Sequence, residues 1–345
     1  MSTPSPALRR TRVLDAAGDG WSPASLLADG RPVILRGAAA HWPLVAAGGD
    51  GPAAAIAYLK RFDIGREVVG YTGEPAIGGR FFYRDDWSGL NFDARRVALS
   101  TYLDGIAARL GDADAPSFYI GSTDLDTYLP GLRADNDLAL PAPPASHDPA
   151  LVSIWIGNRT VAATHYDMSN NLACCMVGRR RFTLFPPDQV ANLYPGPIEP
   201  TPGGQVVSMV DLRAPDPARF PRFADALAAA EVAELEPGDV LFYPALWWHN
   251  VEALDAFNVM INYWWNAVPT FVDTPMTTLL HGLLSLRDRP TAEKEAWRAM
   301  FDHYVFGDAA QAGAHLPPEV RGDLAPIDDR RARQLRAKLL ARINR

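Results

Sequence analysis

Hydrophobic positions change rhythm twice along this chain. In the first third, short apolar runs alternate with stretches of helical spacing. The run Arg31–Arg36, ending before Gly37, predicts a strand, as do Glu67–Tyr71, Phe81–Tyr83 and Ser117–Ile120. Pro52–Phe62 and Ala94–Leu110 carry apolar residues at helical intervals, with Val97, Tyr102 and Ile106 among those of the second. Residues 132–149, rich in Ala and Pro, break both rhythms and mark a boundary.

From Leu151 short strand patterns follow densely: Leu151–Ile156, Leu172–Val177, Arg181–Phe185, Gln205–Val210, Val232–Leu235, Asp239–Tyr243 and Asn258–Trp265. Turn signals such as Pro186-Pro187, Pro202-Gly203-Gly204 and Pro237-Gly238 separate them, which predicts a sandwich or barrel. After Pro269 the spacing becomes helical over 274–287, 291–306 and 328–344. Trp297, Met300, Phe301, Tyr304 and Val305 form one stripe; Ala332, Leu335, Leu339 and Ile343 form another, behind a capping Asp328. The expected layout is a disordered lead-in over 1–12, mixed α/β elements over 13–149 packing on a barrel over 150–268, and a helical tail over 269–345.

Composition narrows the classes. The 345 residues are 48 % apolar, enough for a solid core without staples. The net charge of −7 argues against a nucleic-acid partner, whose binding would need a basic face. The only cysteines, Cys174 and Cys175, are neighbours, which is poor geometry for a disulfide and excludes a zinc ribbon. No apolar run approaches the ~20 residues that span a bilayer, and the first residues lack a signal-peptide stretch. A reducing, cytoplasmic setting without membrane attachment is expected. Only three lysines stand against thirty arginines.

Phosphate-loop, dinucleotide, nucleophile-elbow and H-E-x-x-H signatures are absent from the sequence. What remains is His165-Tyr166-Asp167. Residues two apart on a strand share a face, so this tripeptide can offer an imidazole and a carboxylate to one metal ion. A surface His and Asp sharing a hydrogen bond would give the same tripeptide. His249 shifts the balance, because a Pro-Gly turn, the apolar run Val240–Tyr243 and Trp247-Trp248 deliver it to the end of a buried strand. Two His and one carboxylate with the remaining positions open form the facial set of non-haem Fe(II) oxygenases. His41, His147, His281, His303 and His315 lack partners at ligand spacing and read as structural or surface residues. Trp42, Trp155, Trp247 and Trp248 read as core aromatics.

The stretches His165-Tyr166-Asp167-Met168-Ser169-Asn170-Asn171, Gly178–Gln189, Leu193-Tyr194-Pro195, Pro237–His249 and Asn262-Tyr263-Trp264 together resemble the cupin-like Jumonji C family. Within it the sequence resembles the asparaginyl hydroxylase that inhibits hypoxia-inducible factor. The likeness is clear over 150–266, looser over 30–125 and only architectural in the tail. The resemblance implies a mainly β fold with flanking helices, a double-stranded β-helix (jelly roll), that binds Fe(II) and 2-oxoglutarate. It makes His165, Asp167 and His249 the iron ligands and sets Asn171 and Asn262 beside the co-substrate and the iron-bound atoms. It also gives the Tyr119 hydroxyl to the distal carboxylate of 2-oxoglutarate. Two positions depart from the family pattern. Arg180 stands where a lysine usually pairs with that carboxylate, with Arg179 and Arg181 close enough to leave the register open. Ala162 replaces a threonine. A bidentate guanidinium serves the first role well.

The implied activity is a 2-oxoglutarate-dependent dioxygenase that consumes O2, yields succinate and CO2, and hydroxylates a side chain of a protein or peptide. A small-molecule metabolite is the alternative substrate. A non-oxidative cupin metalloenzyme and a silent binding module are rival readings; the cation at 180 argues against the first and the complete H-x-D…H set against the second. The segments 74–92 and 120–149, with Phe81, Phe82, Tyr83 and Trp87, are expected to border the centre. The apolar tail stripes lead to the expectation of a homodimer.

Overall fold

A computed structural model describes residues 8–16, 18, 20–140 and 149–344. The N-terminal strands are β1 (Arg9–Arg10), β2 (Arg12–Asp15), β3 (Val33–Arg36), β4 (Glu67–Gly73), β5 (Arg80–Phe81), β6 (Phe92–Ala98) and β7 (Ser117–Asp124). There follow β8 (Leu151–Gly157), β9 (Val161–Tyr166), β10 (Asn170–Val177) and β11 (Arg180–Phe185). The series ends with β12 (Glu231–Leu235), β13 (Val240–Tyr243), β14 (Trp248–Ala253) and β15 (Asn258–Trp265). They form a six-stranded sheet in the order β1-β12-β11-β14-β9-β5 and a nine-stranded sheet in the order β2-β3-β13-β10-β15-β8-β7-β4-β6. The eight strands β8–β15 divide evenly between the sheets, which is the jelly-roll arrangement.

Alternation along the strands builds two cores. Ala173, Cys175, Leu241 and Met260 of the larger sheet meet Phe182, Leu184, Leu235 and Val251 of the smaller in one buried cluster. Leu172, Cys174, Phe242, Ile261 and Tyr263 point to the other face of the larger sheet, where Leu44, Ile56, Leu59 and Leu103 of three helices cover them. Burial on both faces explains why β10 reads as a continuous apolar run. It also explains the free, buried state of Cys174 and Cys175, whose side chains leave the strand on opposite faces.

The sequence boundaries shift in several places. The lead-in expected over 1–12 ends earlier, because Arg9–Arg10 pair in parallel with β12 and Arg12–Asp15 with β3; residues 1–7 lie outside the described ones. The helix expected over Ala94–Leu110 is a strand followed by a helix, Leu99–Ala107. Antiparallel pairing with β4 overrides local propensity up to Ala98, and the Asp63 carboxylate accepts from Ser100 N at the helix start. Gln205–Val210 makes isolated bridges through Val207 and Ser208 instead of a strand. The N-terminal elements do more than pack on the barrel: β2 and β3 extend the larger sheet at one side, β7, β4 and β6 at the other. At the Pro237-Gly238-Asp239 turn, Gly238 has φ +97, and a Cβ there would lie 2.8 Å from Ala40 Cα. The buried Asp239 carboxylate closes this turn by accepting from Glu236 N (2.9 Å) and Gly37 N (3.0 Å) and by pairing with Arg36.

Two compact units result: the described residues up to 140 with 149–267, and residues 268–344. The second carries the helices Pro275–Ser285, Thr291–Phe301, Ala309–Ala312 and Asp329–Ile343; a π-helical turn over Asp302–Phe306 ends the second of them short of the expected span. Asp328 caps the last helix, accepting from Arg331 N at 2.8 Å. Among the described residues no helix is long and apolar enough to cross a membrane.

Candidate metal centre

The chain brings two imidazoles together by strand register. His165 on β9 lies directly opposite His249 on β14, with ring centroids 4.2 Å apart. His249 is thus the second residue of β14, beyond a turn that follows β13, and not the end of the Val240–Tyr243 strand; Leu246, with φ +67, donates its N–H to the Asp167 carbonyl across that turn. Asp167 follows the last residue of β9. One ligand atom from each of the three side chains lies within 4.8 Å of the others, and His249 Nε2 is 3.7 Å from Asp167 Oδ2. Among the described residues no other such cluster forms; His147 lies outside them.

The protonation pattern suits a cation. His165 Nδ1 sits 2.8 Å from the Ala163 carbonyl and His249 Nδ1 2.9 Å from the Trp247 carbonyl. A carbonyl only accepts, so each Nδ1 carries a proton, which leaves Nε2 as the nitrogen each ring can offer a metal. Burial pushes the His249 pKa down to about 4, the neighbouring His165 adding to the effect, so this imidazole is neutral at physiological pH. Two imidazole nitrogens and one carboxylate oxygen match the mixed set preferred by first-row divalent metals such as iron.

These groups open on a cavity of about 420 Å³, within the range of small-molecule sites. Arg180 lines it, as do Tyr119 and Asn262. The register of the three arginines is settled by strand alternation. Arg179 forks onto Asp255 (2.9 and 3.1 Å), and Arg181 meets Glu234 (3.1 Å) and Glu252 (3.6 Å) outside. Arg180 turns inward, 3 % exposed, without an ion pair among the described residues and with its Nε unpartnered. Burial pushes the Tyr119 hydroxyl pKa up, although Arg180 opposes the shift, so Tyr119 remains a neutral donor. Ala162 also lines the cavity.

Asn171 and Asn262 are both buried. Asn171 Nδ2 donates to Asp167 Oδ2 (3.2 Å), and Asn262 Nδ2 donates to Asn171 Oδ1 (3.1 Å). Trp155, which sequence reasoning placed in the core, packs against the core between the sheets and also lines the cavity, together with Trp264, Tyr71, Tyr243 and the loop Pro202–Gln205. The alternation that puts Trp264 on the face of Asn262 could have found that tryptophan; nothing local marks the loop. Of the expected border segments, Phe81, Phe92, Gly121 and Ser122 reach the cavity. Phe82 and Tyr83 instead pack on Ala163 and Val207.

The profile of the cupin-like domain family matches residues 22–271, most of the chain. The chain belongs to this family. It is 27 % identical over 241 residues to lysine-specific demethylase 8 of Xenopus tropicalis, covering 68 % of this chain and 48 % of that protein. It is likewise 27 % identical to Jumonji C domain-containing protein 5 of Drosophila melanogaster, over 68 % of this chain and 55 % of that one. A shorter match, 40 % identical over 114 residues, links 32 % of the chain to 23 % of HSPB1-associated protein 1 of Rattus norvegicus. The chain thus spans about half the length of the relatives it matches most extensively.

Proposed function

We propose that this protein is an Fe(II)- and 2-oxoglutarate-dependent oxygenase that hydroxylates a side chain of a protein or peptide. His165, Asp167 and His249 are the residues that would hold the metal. The observation that carries the reading is Arg180: a buried cation with no acidic partner among the described residues, in the same cavity as a facial metal-ligand set. A dianionic keto acid supplies the missing charge for Arg180, and the Tyr119 hydroxyl adds a donor beside it. Iron in this set would supply O2 activation, with 2-oxoglutarate oxidised to succinate and CO2 as one oxygen atom enters the substrate. The protein's own part is orientation and the exclusion of water. The aromatic lining dries the cavity, and the tied Nδ1 atoms hold both imidazoles in the binding tautomer.

Mixing the anaerobic protein with Fe(II) and 2-oxoglutarate tests this reading. A weak visible charge-transfer band, requiring both components, is expected; its absence would sink the assignment. The demethylase name of one relative and the hydroxylase reading share C–H oxidation and differ in the carbon presented. Mass spectrometry of a treated lysate distinguishes peptides that gain an oxygen atom from peptides that lose a methyl group, and a change confined to metabolites would replace the polypeptide substrate. A homodimer that covers the exposed apolar positions of the second unit, among them Leu284, Trp297 and Phe306, is part of this proposal.

A further inference from the structure

Both imidazoles of the centre belong to the six-stranded sheet, held by a direct cross-strand pairing. The carboxylate has no such support, since Asp167 lies on the turn between β9 and β10. Its oxygen nearest His249, Oδ2, is the one that Asn171 holds. Asn171 Nδ2 has a second acceptor, the Ser169 carbonyl at 3.1 Å. Both N–H groups of Asn171 are therefore committed to atoms that can only accept, and its own oxygen must face a donor. Asn262 supplies that donor, so the polarity of the whole chain of amides is forced.

Register explains the geometry. On paired β10 and β15, Asn171 lies opposite Trp264 and Asn262 opposite Ala173, which makes the two asparagines diagonal neighbours on one face of the nine-stranded sheet. They are 0 % and 2 % exposed. Burying two primary amides is unfavourable unless their hydrogen bonds are used, and the neighbours Ala173 and Ile261 show that apolar residues fit these strands.

We infer that Asn171 and Asn262 are positioning residues for the carboxylate ligand. Together they form a two-amide relay that fastens the turn carrying Asp167 to one sheet and so fixes its oxygen against imidazoles carried by the other. This rests on the metal-binding reading of the centre; it assigns Asn171 to the ligand Asp167 instead of to the co-substrate, while Asn262, whose Oδ1 has no partner among the described residues, supports Asn171 and still lines the cavity.

Titration of the metal-free, full-length protein with Co(II), followed by its visible bands, tests the relay without turnover. Asn171→Ala is expected to weaken Co(II) binding about 10–100-fold and to change the band shape, the usual scale for losing an outer partner of a metal ligand. Asn262→Ala is expected to weaken it less. The double variant is expected to match Asn171→Ala alone, because Asn262 acts through Asn171. Unchanged Co(II) affinity and bands in Asn171→Ala, or additive effects in the double variant, would overturn the relay. If Asn171→Ala does not fold, Asn262→Ala decides in the same way, and unchanged binding there overturns it. Failure of the unaltered protein to bind Co(II) would instead overturn the metal centre itself.

Discussion

The two units treat their apolar side chains in opposite ways. In the first, Phe182, Phe242 and Leu35 are almost wholly buried, because the two sheets pack on one another and helices cover the outer face of the larger one. In the second, the only buried apolar side chains among the described residues are those of Ala312, Ala325 and Ala332, while Leu284 is 80 % and Phe306 76 % exposed. Yet both stretches carry clean periodicity. A period of two inside a sandwich specifies its own partner, since the opposite sheet comes from the same chain. A helical stripe specifies only that something should cover it. The first unit therefore holds the buried core and the candidate metal centre, and this contrast can be probed by substitution.

The largest effect is expected at Asp167. Asp167→Ala removes the only anionic ligand, so oxidation should vanish and metal binding collapse, while thermal unfolding of the metal-free protein stays close to the parent because the sandwich core does not use the centre. Full activity in the purified variant would remove Asp167 from the ligand set. Phe182→Ala cuts the core between the sheets and should cost ~3–5 kcal/mol of unfolding free energy. A loss no larger than that for an exposed apolar residue of the second unit, read from denaturant melts, would erase the contrast.

Arg180→Ala should leave folding intact and raise the 2-oxoglutarate requirement, by ~2–5 kcal/mol of binding free energy if truncating a buried charge pair is the guide. Arg179→Ala and Arg181→Ala should have little effect, since their partners Asp255 and Glu234 sit at the surface where ion pairs contribute about 0–1 kcal/mol. Isothermal titration of each variant with 2-oxoglutarate in the presence of Fe(II), under anaerobic conditions, would separate the three.

That triplet also shows how far the sequence could be read. Strand alternation sends inward either Arg180 alone or both of its neighbours, and which of the two depends on the phase of β11, which propensity does not fix. His165 and Asp167 were legible from local spacing, and His249 from an apolar run followed by aromatics. The turn that places His249 opposite His165 was not legible, because cross-strand register is set by pairing between distant segments. The same holds for β6, where the helical spacing of Val97 with Tyr102 and Ile106 hid a strand that exists only because β4 lies beside it. The amide relay was out of reach for that reason too: Asn171 and Asn262 meet diagonally, 91 positions apart in the chain.

The smallest effect on the chain's own stability is expected in the tail. Leu284→Ser and Phe306→Ser exchange exposed apolar side chains for polar ones, so each should shift the unfolding free energy of the monomer by no more than ~0.5 kcal/mol. Their effect should appear in assembly instead. Stripes that include Leu279, Leu280, Leu284 and Val305, all exposed, resemble the apolar centre of an interface more than a solvated surface. Light scattering at high micromolar concentration should give a dimer for the parent chain and a monomer for the double substitution. A monomeric parent under those conditions would mean that the second unit carries its exposed residues without a copy to cover them. The contrast between the units would then be one of packing alone.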